Sequence, residues 1–202
     1  MSLVPKSAQA TTRGALAPLA RSLHRMGVSA NAVTAAGLLL TLVGAGFIAA
    51  GRPLFAVAVL IVGALADTLD GQIAKAAGGG TRLGAFLDST FDRVSDAALA
   101  SAAIIYGALH GDVLLLWFAL VALVSGSLVP YIRAKAESLG LTASVGLAPR
   151  EARIVLIVLG LLAWAVSGDS QLFVMAFVAV ALLSTATVVQ RIAHVVGALR
   201  NT

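Results

Sequence analysis

The sequence predicts an all-α integral membrane protein: a single domain whose six transmembrane helices, over 30–195, follow an interfacial amphipathic helix over 8–27. Three observations predict it. The 202 residues are 59% hydrophobic and only 11% charged, outside the usual range of soluble domains. The apolar residues gather into six stretches, each near the length of about 20 residues that crosses a bilayer. All but one of the 14 cationic residues fall on one side of an alternating six-span arrangement.

In the stretch 8–27, Leu16, Leu19, Ala20, Leu23 and Met26 are interleaved with Arg13, Arg21, His24 and Arg25. A basic amphipathic segment of this kind lies along the membrane surface against anionic headgroups. Spans are expected at 30–50, 53–75, 84–109, 112–136, 152–168 and 171–195. Asn31 and Thr34, in the run Ser29-Ala30-Asn31-Ala32-Val33-Thr34, are expected to cap the first of them, a place beside a bound substrate being the alternative. Gly51-Arg52-Pro53, His110-Gly111-Asp112 and Gly168-Asp169-Ser170 break the helical pattern as tight outer connections, and Gly78-Gly79-Gly80 as the turn between the second and third spans. No short apolar segment with a cleavage site opens the sequence, so the first span is expected to act as its own insertion signal.

Arg52 is the one cation on the outer side of this arrangement. The positive-inside rule therefore predicts both termini on the cytoplasmic side of a plasma membrane. The net charge of +5 is a topology signal; with no basic soluble domain and no interleaved aromatics, a nucleic-acid partner is not expected. Cysteine is absent, which excludes disulfides, zinc–thiolate sites and thiol catalysis. His24, His110 and His194 are scattered and suggest no metal triad.

Within this apolar chain the second and third spans carry Asp67, Asp70, Asp88 and Asp92 in their cytoplasmic halves. Asp67 and Asp70 lie at i, i+3, and Gly84, Asp88 and Asp92 at i, i+4, i+8, so each set occupies one helix face and the two faces can converge. Ionisable groups in a membrane span are costly and mark function. An oxygen-only donor set without cysteine suits a hard divalent cation, Mg²⁺ or alternatively Mn²⁺, and two such ions would clamp an in-line displacement. Gly71 and Gly84 leave bare backbone beside the acids. A proton or cation pathway is the rival reading, but pairing on two helices with glycines interleaved favours a metal–phosphate site. Asp96 continues the row, where it fits a supporting place behind the site or equally a pairing with Arg93 or another basic neighbour, and it is left out of the catalytic set. Lys135, Arg150, Arg153 and Arg191 stand at the cytoplasmic ends of the fourth, fifth and sixth spans. They fit a pocket for a phosphate-bearing substrate, or equally plain positive-inside flanking.

The run Asp67-x-x-Asp70-Gly71-x-x-Ala74-Lys75, followed by Gly84-x-x-x-Asp88-x-x-x-Asp92, resembles the defining motif of the CDP-alcohol phosphotransferases. Lys75 stands where the family has arginine, which keeps the charge and loses the planar fork. Gly78-Gly79-Gly80-Thr81-Arg82, Tyr131-Ile132-Arg133-Ala134-Lys135-Ala136-Glu137, Arg150-Glu151-Ala152-Arg153 and Gln190-Arg191 are similar to passages of the bacterial phosphatidylinositol-phosphate synthases within that family. The resemblance implies transfer of a phosphatidyl group from CDP-diacylglycerol to inositol phosphate with loss of CMP. By position it implies Asp67, Asp70, Asp88 and Asp92 as metal ligands and Asp92 also as general base. It implies Gly71, Ala74, Lys75, Thr81 and Arg82 around the CDP-lipid, and Lys135, Arg150, Arg153 and Arg191 around inositol phosphate. It further implies a homodimer in the bacterial inner membrane, with the active site facing the cytoplasm. The alternatives are phosphatidylglycerophosphate synthesis from glycerol 3-phosphate and, from another class, a small cation transporter.

Overall fold

The computed structural model describes residues 17–147 and 149–200. Residues 8–16 of the expected interfacial helix lie outside this range. Among the described residues there are seven helices and no strand: α1 (17–25), α2 (Ala30–Ala49), α3 (Pro53–Ala76), α4 (Arg82–His110), α5 (Val113–Ser138), α6 (Arg150–Ser167) and α7 (Gln171–Arg200).

Four of them, α2, α3, α5 and α7, are long and apolar enough to cross a membrane. The other two long helices fall short of the expected six for visible reasons. α4 places Arg82, Asp88, Asp92, Arg93 and Asp96 in its first half, and α6 has only 18 residues and opens on Arg150, Glu151 and Arg153. Large apolar side chains such as Leu39, Phe55, Trp117, Val124 and Leu182 are exposed on the outer faces, as they are in proteins whose solvent is lipid.

Polar residues start these helices and glycine stops two of them. Ser29 Oγ accepts from Ala32 N at 3.2 Å and caps α2, Thr81 Oγ1 accepts from Gly84 N at 2.9 Å and caps α4, and Asp112 Oδ1 accepts from Leu115 N at 2.9 Å and caps α5. The cap of α2 is thus Ser29, not Asn31 or Thr34, because the capping side chain must precede the first helical residue. Gly111 (φ +69°) and Gly168 (φ +74°) end α4 and α6 in the left-handed region that side chains disfavour.

The six long helices close a ring, α2–α3–α6–α7–α5–α4 and back to α2. Ile48, Leu60, Leu99, Ala103, Leu115, Leu161 and Phe177 fill it. At the end formed by the C-termini of α4 and α6 and the start of α7, aromatic rings meet in series, two pairs stacked, one tilted and one edge-to-face. Between ring centroids, His110 lies 4.0 Å from Tyr106, Tyr106 4.6 Å from Trp164, Trp164 5.4 Å from Phe173, and Phe173 5.1 Å from Phe177. Such pairs stabilise beyond their buried area. The acidic residues occupy the opposite end, at the close of α3 and the opening of α4.

Candidate active site

α3 and α4 are joined by the short segment 77–81 but are not neighbours in the ring; both pack against α2, and it is their carboxylate side chains that reach one another. Asp67, Asp70 and Asp88 each bring one carboxylate oxygen within 4.8 Å of the others. Asp70 is buried, and Asp67 and Asp88 open outward. Thr34 of α2 reaches the same place: its Oγ1 lies 2.6 Å from Asp70 Oδ2 and 3.0 Å from the carbonyl oxygen of Ala30. A hydroxyl has one proton, and the short contact to an anion is the stronger bond, so Thr34 donates to Asp70 and fixes that carboxylate. Three anions this close repel unless a cation lies between them. The donor set, all oxygen, fits a hard divalent ion.

Asp92 sits one turn along α4 but faces another partner. Its Oδ1 is 2.8 Å from Arg150 Nη1, while its Oδ2 has Arg93 Nη1 at 3.8 Å. Arg150 Nε also donates to Asp96 Oδ1 at 3.0 Å, and Arg153 Nη2 to Asp96 Oδ2 at 3.1 Å. Asp96 therefore joins both arginines of α6 to α4: it does pair with basic neighbours, and these are Arg150 and Arg153.

Two cavities flank the acids. The larger, about 590 Å³, is lined by Asp70, Gly71, Ala74, Thr81, Gly84 and Asp88, together with His24, Ser29, Asn31 and Thr34. Gly84 fits closely here: a Cβ would stand 3.2 Å from both Asn31 Oδ1 and Thr81 Oγ1, so these side chains would have to give way by a few tenths of an ångström. Of the residues expected around a CDP-lipid, Gly71, Ala74 and Thr81 are on its wall. Lys75, in the last turn of α3, and Arg82, the first residue of α4, are exposed and are not. A second cavity of about 190 Å³ has Asp67, Asp92 and Arg150 at one end and Leu38, Leu60, Ile61, Leu99, Ile154 and Val158 around the rest. Thr34 borders both cavities.

The four expected acceptor residues are not gathered on a single point. Arg150 and Arg153 meet on Asp96. Arg191 instead donates Nε to the Val145 carbonyl at 2.9 Å and Nη1 to the Val129 carbonyl at 2.7 Å, tying α7 to α5 and to the segment before α6. Lys135 is exposed in the last turn of α5. Thr34, for which the sequence favoured capping, and Asp96, which it left out of the catalytic set, are the polar residues that the structure adds through their hydrogen bonds. Residue type and helical register made Asp96 visible, but nothing local identified its partners.

The model of the CDP-alcohol phosphatidyltransferase family matches residues 27–190, which take in the acids and both cavities apart from His24. The chain is 36% identical over 162 residues to a phosphatidylinositol phosphate synthase of Mycobacterium tuberculosis, covering 79% of this chain and 75% of that protein. It is 39% identical over 139 residues to an archaetidylinositol phosphate synthase of Methanothermobacter thermautotrophicus, covering 69% of each. The solved Mycobacterium tuberculosis phosphatidylinositol phosphate synthase in complex with manganese and citrate superposes with a TM-score of 0.83 at 31% identity, over 89% of this chain and 88% of that one. The same enzyme with CDP-DAG bound superposes at 0.81 and 32% identity, over 89% and 92%. Motif, match and superposition agree: this chain belongs to the CDP-alcohol phosphatidyltransferase family.

Proposed function

We propose that this chain is a phosphatidylinositol-phosphate synthase, an enzyme that moves the phosphatidyl group of CDP-diacylglycerol onto inositol phosphate and releases CMP. The observation that carries the reading is the three-carboxylate group, two of whose members, Asp70 and Asp88, line a cavity framed by small residues, in a chain with the relatives named above. Both named curated relatives make an inositol phosphate lipid, so the acceptor is common to them while the lipid differs.

Asp67, Asp70 and Asp88 would hold divalent cation, Mg²⁺ or Mn²⁺ and two ions in our reading, with Asp92 completing the set. Bound there, the ions would supply charge neutralisation for the diphosphate oxygens and the departing CMP. The chain's own residues do the rest. The larger cavity receives the cytidine diphosphate, where Gly71, Ala74 and Gly84 let it lie against backbone, with Thr81, Lys75 and Arg82 at its margin. The smaller, mostly apolar cavity takes the start of the lipid. Asp92, held through Oδ1 by Arg150, keeps Oδ2 for the proton of the acceptor hydroxyl. The hydroxyl oxygen then bonds to the lipid-side phosphorus as the bond from that phosphorus to CMP breaks. Lys135, Arg150, Arg153 and Arg191 receive the acceptor's phosphate.

In the same reading all six long helices cross the bilayer, α4 and α6 with their polar halves turned into the site. The domain spans the bacterial plasma membrane with both termini and the acids on the cytoplasmic side. The described part of the basic stretch, α1, lies at the interface, and two chains pair.

The test is CMP release from CDP-diacylglycerol and Mg²⁺ by the purified protein, given inositol phosphate, free inositol, glycerol 3-phosphate or serine separately. Release with inositol phosphate, abolished by a chelator and restored by Mg²⁺ or Mn²⁺, is expected. Preference for glycerol 3-phosphate would make the chain a phosphatidylglycerophosphate synthase. Cation uptake into sealed vesicles with no CMP formed would make it a transporter.

A further inference from the structure

Asp96 lies on the same face of α4 as Asp88 and Asp92, yet it is outside the three-carboxylate group and stands at the junction of α4, α5 and α6. Each of its oxygens serves a different arginine, Oδ1 accepting from Arg150 Nε at 3.0 Å and Oδ2 from Arg153 Nη2 at 3.1 Å. The two arginines differ in their surroundings. The Arg153 side chain is 7% exposed, whereas that of Arg150 is 32% exposed and extends on to Asp92.

α5 completes the seat of Arg153. Pro130 has no N–H, so the carbonyl of Gly126, four residues earlier, lacks its helical donor. Arg153 Nη1 comes to within 3.5 Å of that carbonyl oxygen. Gly126 also leaves the space: a Cβ there would stand 3.4 Å from Nη1. Charges thus alternate along one line, Arg153, Asp96, Arg150, Asp92, from the α5–α6 contact to the acids. A buried guanidinium without a carboxylate partner is strongly destabilising, so Asp96 fixes where Arg153 can point.

We propose that Asp96 is a positioning residue for the acceptor: by holding Arg150 and Arg153 on its two oxygens, it sets the spacing of the guanidinium groups that receive the acceptor's phosphate. This rests on the proposed function. Asp96 would not itself meet either substrate, since a carboxylate facing a phosphate repels it. Its effect belongs to the acceptor and not to the CDP-lipid, whose larger cavity it does not line.

The test is the kinetics of CMP release with inositol phosphate and CDP-diacylglycerol varied in turn, in the full-length protein. Asp96→Asn removes the charge at constant size and is expected to raise the acceptor KM about tenfold or more, as the loss of ionic hydrogen bonds does, with the CDP-lipid KM unchanged. Asp96→Glu keeps the charge and should recover part of that loss. Should Asp96→Asn fail to fold, Gly126→Val, whose side chain extends beyond the Cβ position that already lies 3.4 Å from Nη1, displaces the Arg153 guanidinium without touching a charge and should raise the acceptor KM alone. The positioning role is overturned if either folded variant keeps the parental acceptor KM, if both substrates' KM values rise together, or if Asp96→Glu is no better than Asp96→Asn. The parent is assayed alongside. A parent that releases no CMP with inositol phosphate overturns the proposed function and this role with it, whereas an active parent with an indifferent Asp96→Asn overturns this role alone.

Discussion

Thr34 brings one donor hydrogen to the three-carboxylate group, and it spends that hydrogen on Asp70 at 2.6 Å. Thr34→Val keeps the shape and deletes the bond. A hydrogen bond to a charged group contributes about 1.5–3 kcal/mol, so the concentration of divalent cation giving half-maximal CMP release should rise by about tenfold or more. The maximal rate should return at saturating cation, because the three carboxylates remain. A metal titration of CMP release checks this, and an unchanged half-maximal concentration would show that Asp70 needs no help to keep its orientation. The acids themselves were legible in the sequence, since Asp67 and Asp70 share one helix face and Asp88 and Asp92 another, and helical periodicity reports that directly. Thr34 and Asp96 were not legible as site members. Their partners lie 36, 54 and 57 residues away, and local spacing says nothing about which distant helix will cross at that height. Helix capping was a real competitor for Thr34, and Ser29 turned out to fill that role.

Among the helices, the seams between α6 and α7 and between α2 and α3 both depend on glycine, with unequal tolerance. A Cβ on Gly160 would stand 2.7 Å from Ala176 Cβ and 3.0 Å from Phe173 Cα, so α6 and α7 would have to part. A Cβ on Gly44 would meet Leu60 Cδ2 at 2.8 Å, the far end of a side chain that can turn aside. Gly160→Ala should therefore cost about 1–3 kcal/mol, the usual range for overpacking, and Gly44→Ala less. Thermal unfolding of the detergent-solubilised variants tests the order, and equal loss would mean that α7 shifts freely. Helix positions were well announced: the expected stretches at 30–50, 53–75 and 112–136 correspond to α2, α3 and α5 within two residues at each end. The last helix runs to Arg200 instead of 195, because charge and polarity near its end mark where a bilayer stops and not where a helix must. The same distinction explains α4, whose helical period is clear while its acids keep its composition from resembling a span.

For the whole molecule, the proposed orientation is testable because the chain has no cysteine of its own. Ser170→Cys, between α6 and α7, should react with an impermeant thiol reagent added outside intact cells. Ser144→Cys, between α5 and α6, should react only once the membrane is opened. The reverse pattern would put the acids outside and overturn the assignment made from the cationic residues. No sequence signal reveals the closed ring of helices, since the order in which α3 meets α6 and α5 meets α7 depends on packing across the bundle. Thr34, as the shared wall of the two cavities, carries a kinetic consequence. On the proposed reading one reactant never leaves the bilayer and arrives by lateral diffusion in two dimensions, while its co-substrate arrives from bulk water in three. The velocity will then follow the mole fraction of CDP-lipid among its neighbours, so that diluting it with inert lipid slows the reaction even when the total amount in the tube is held constant.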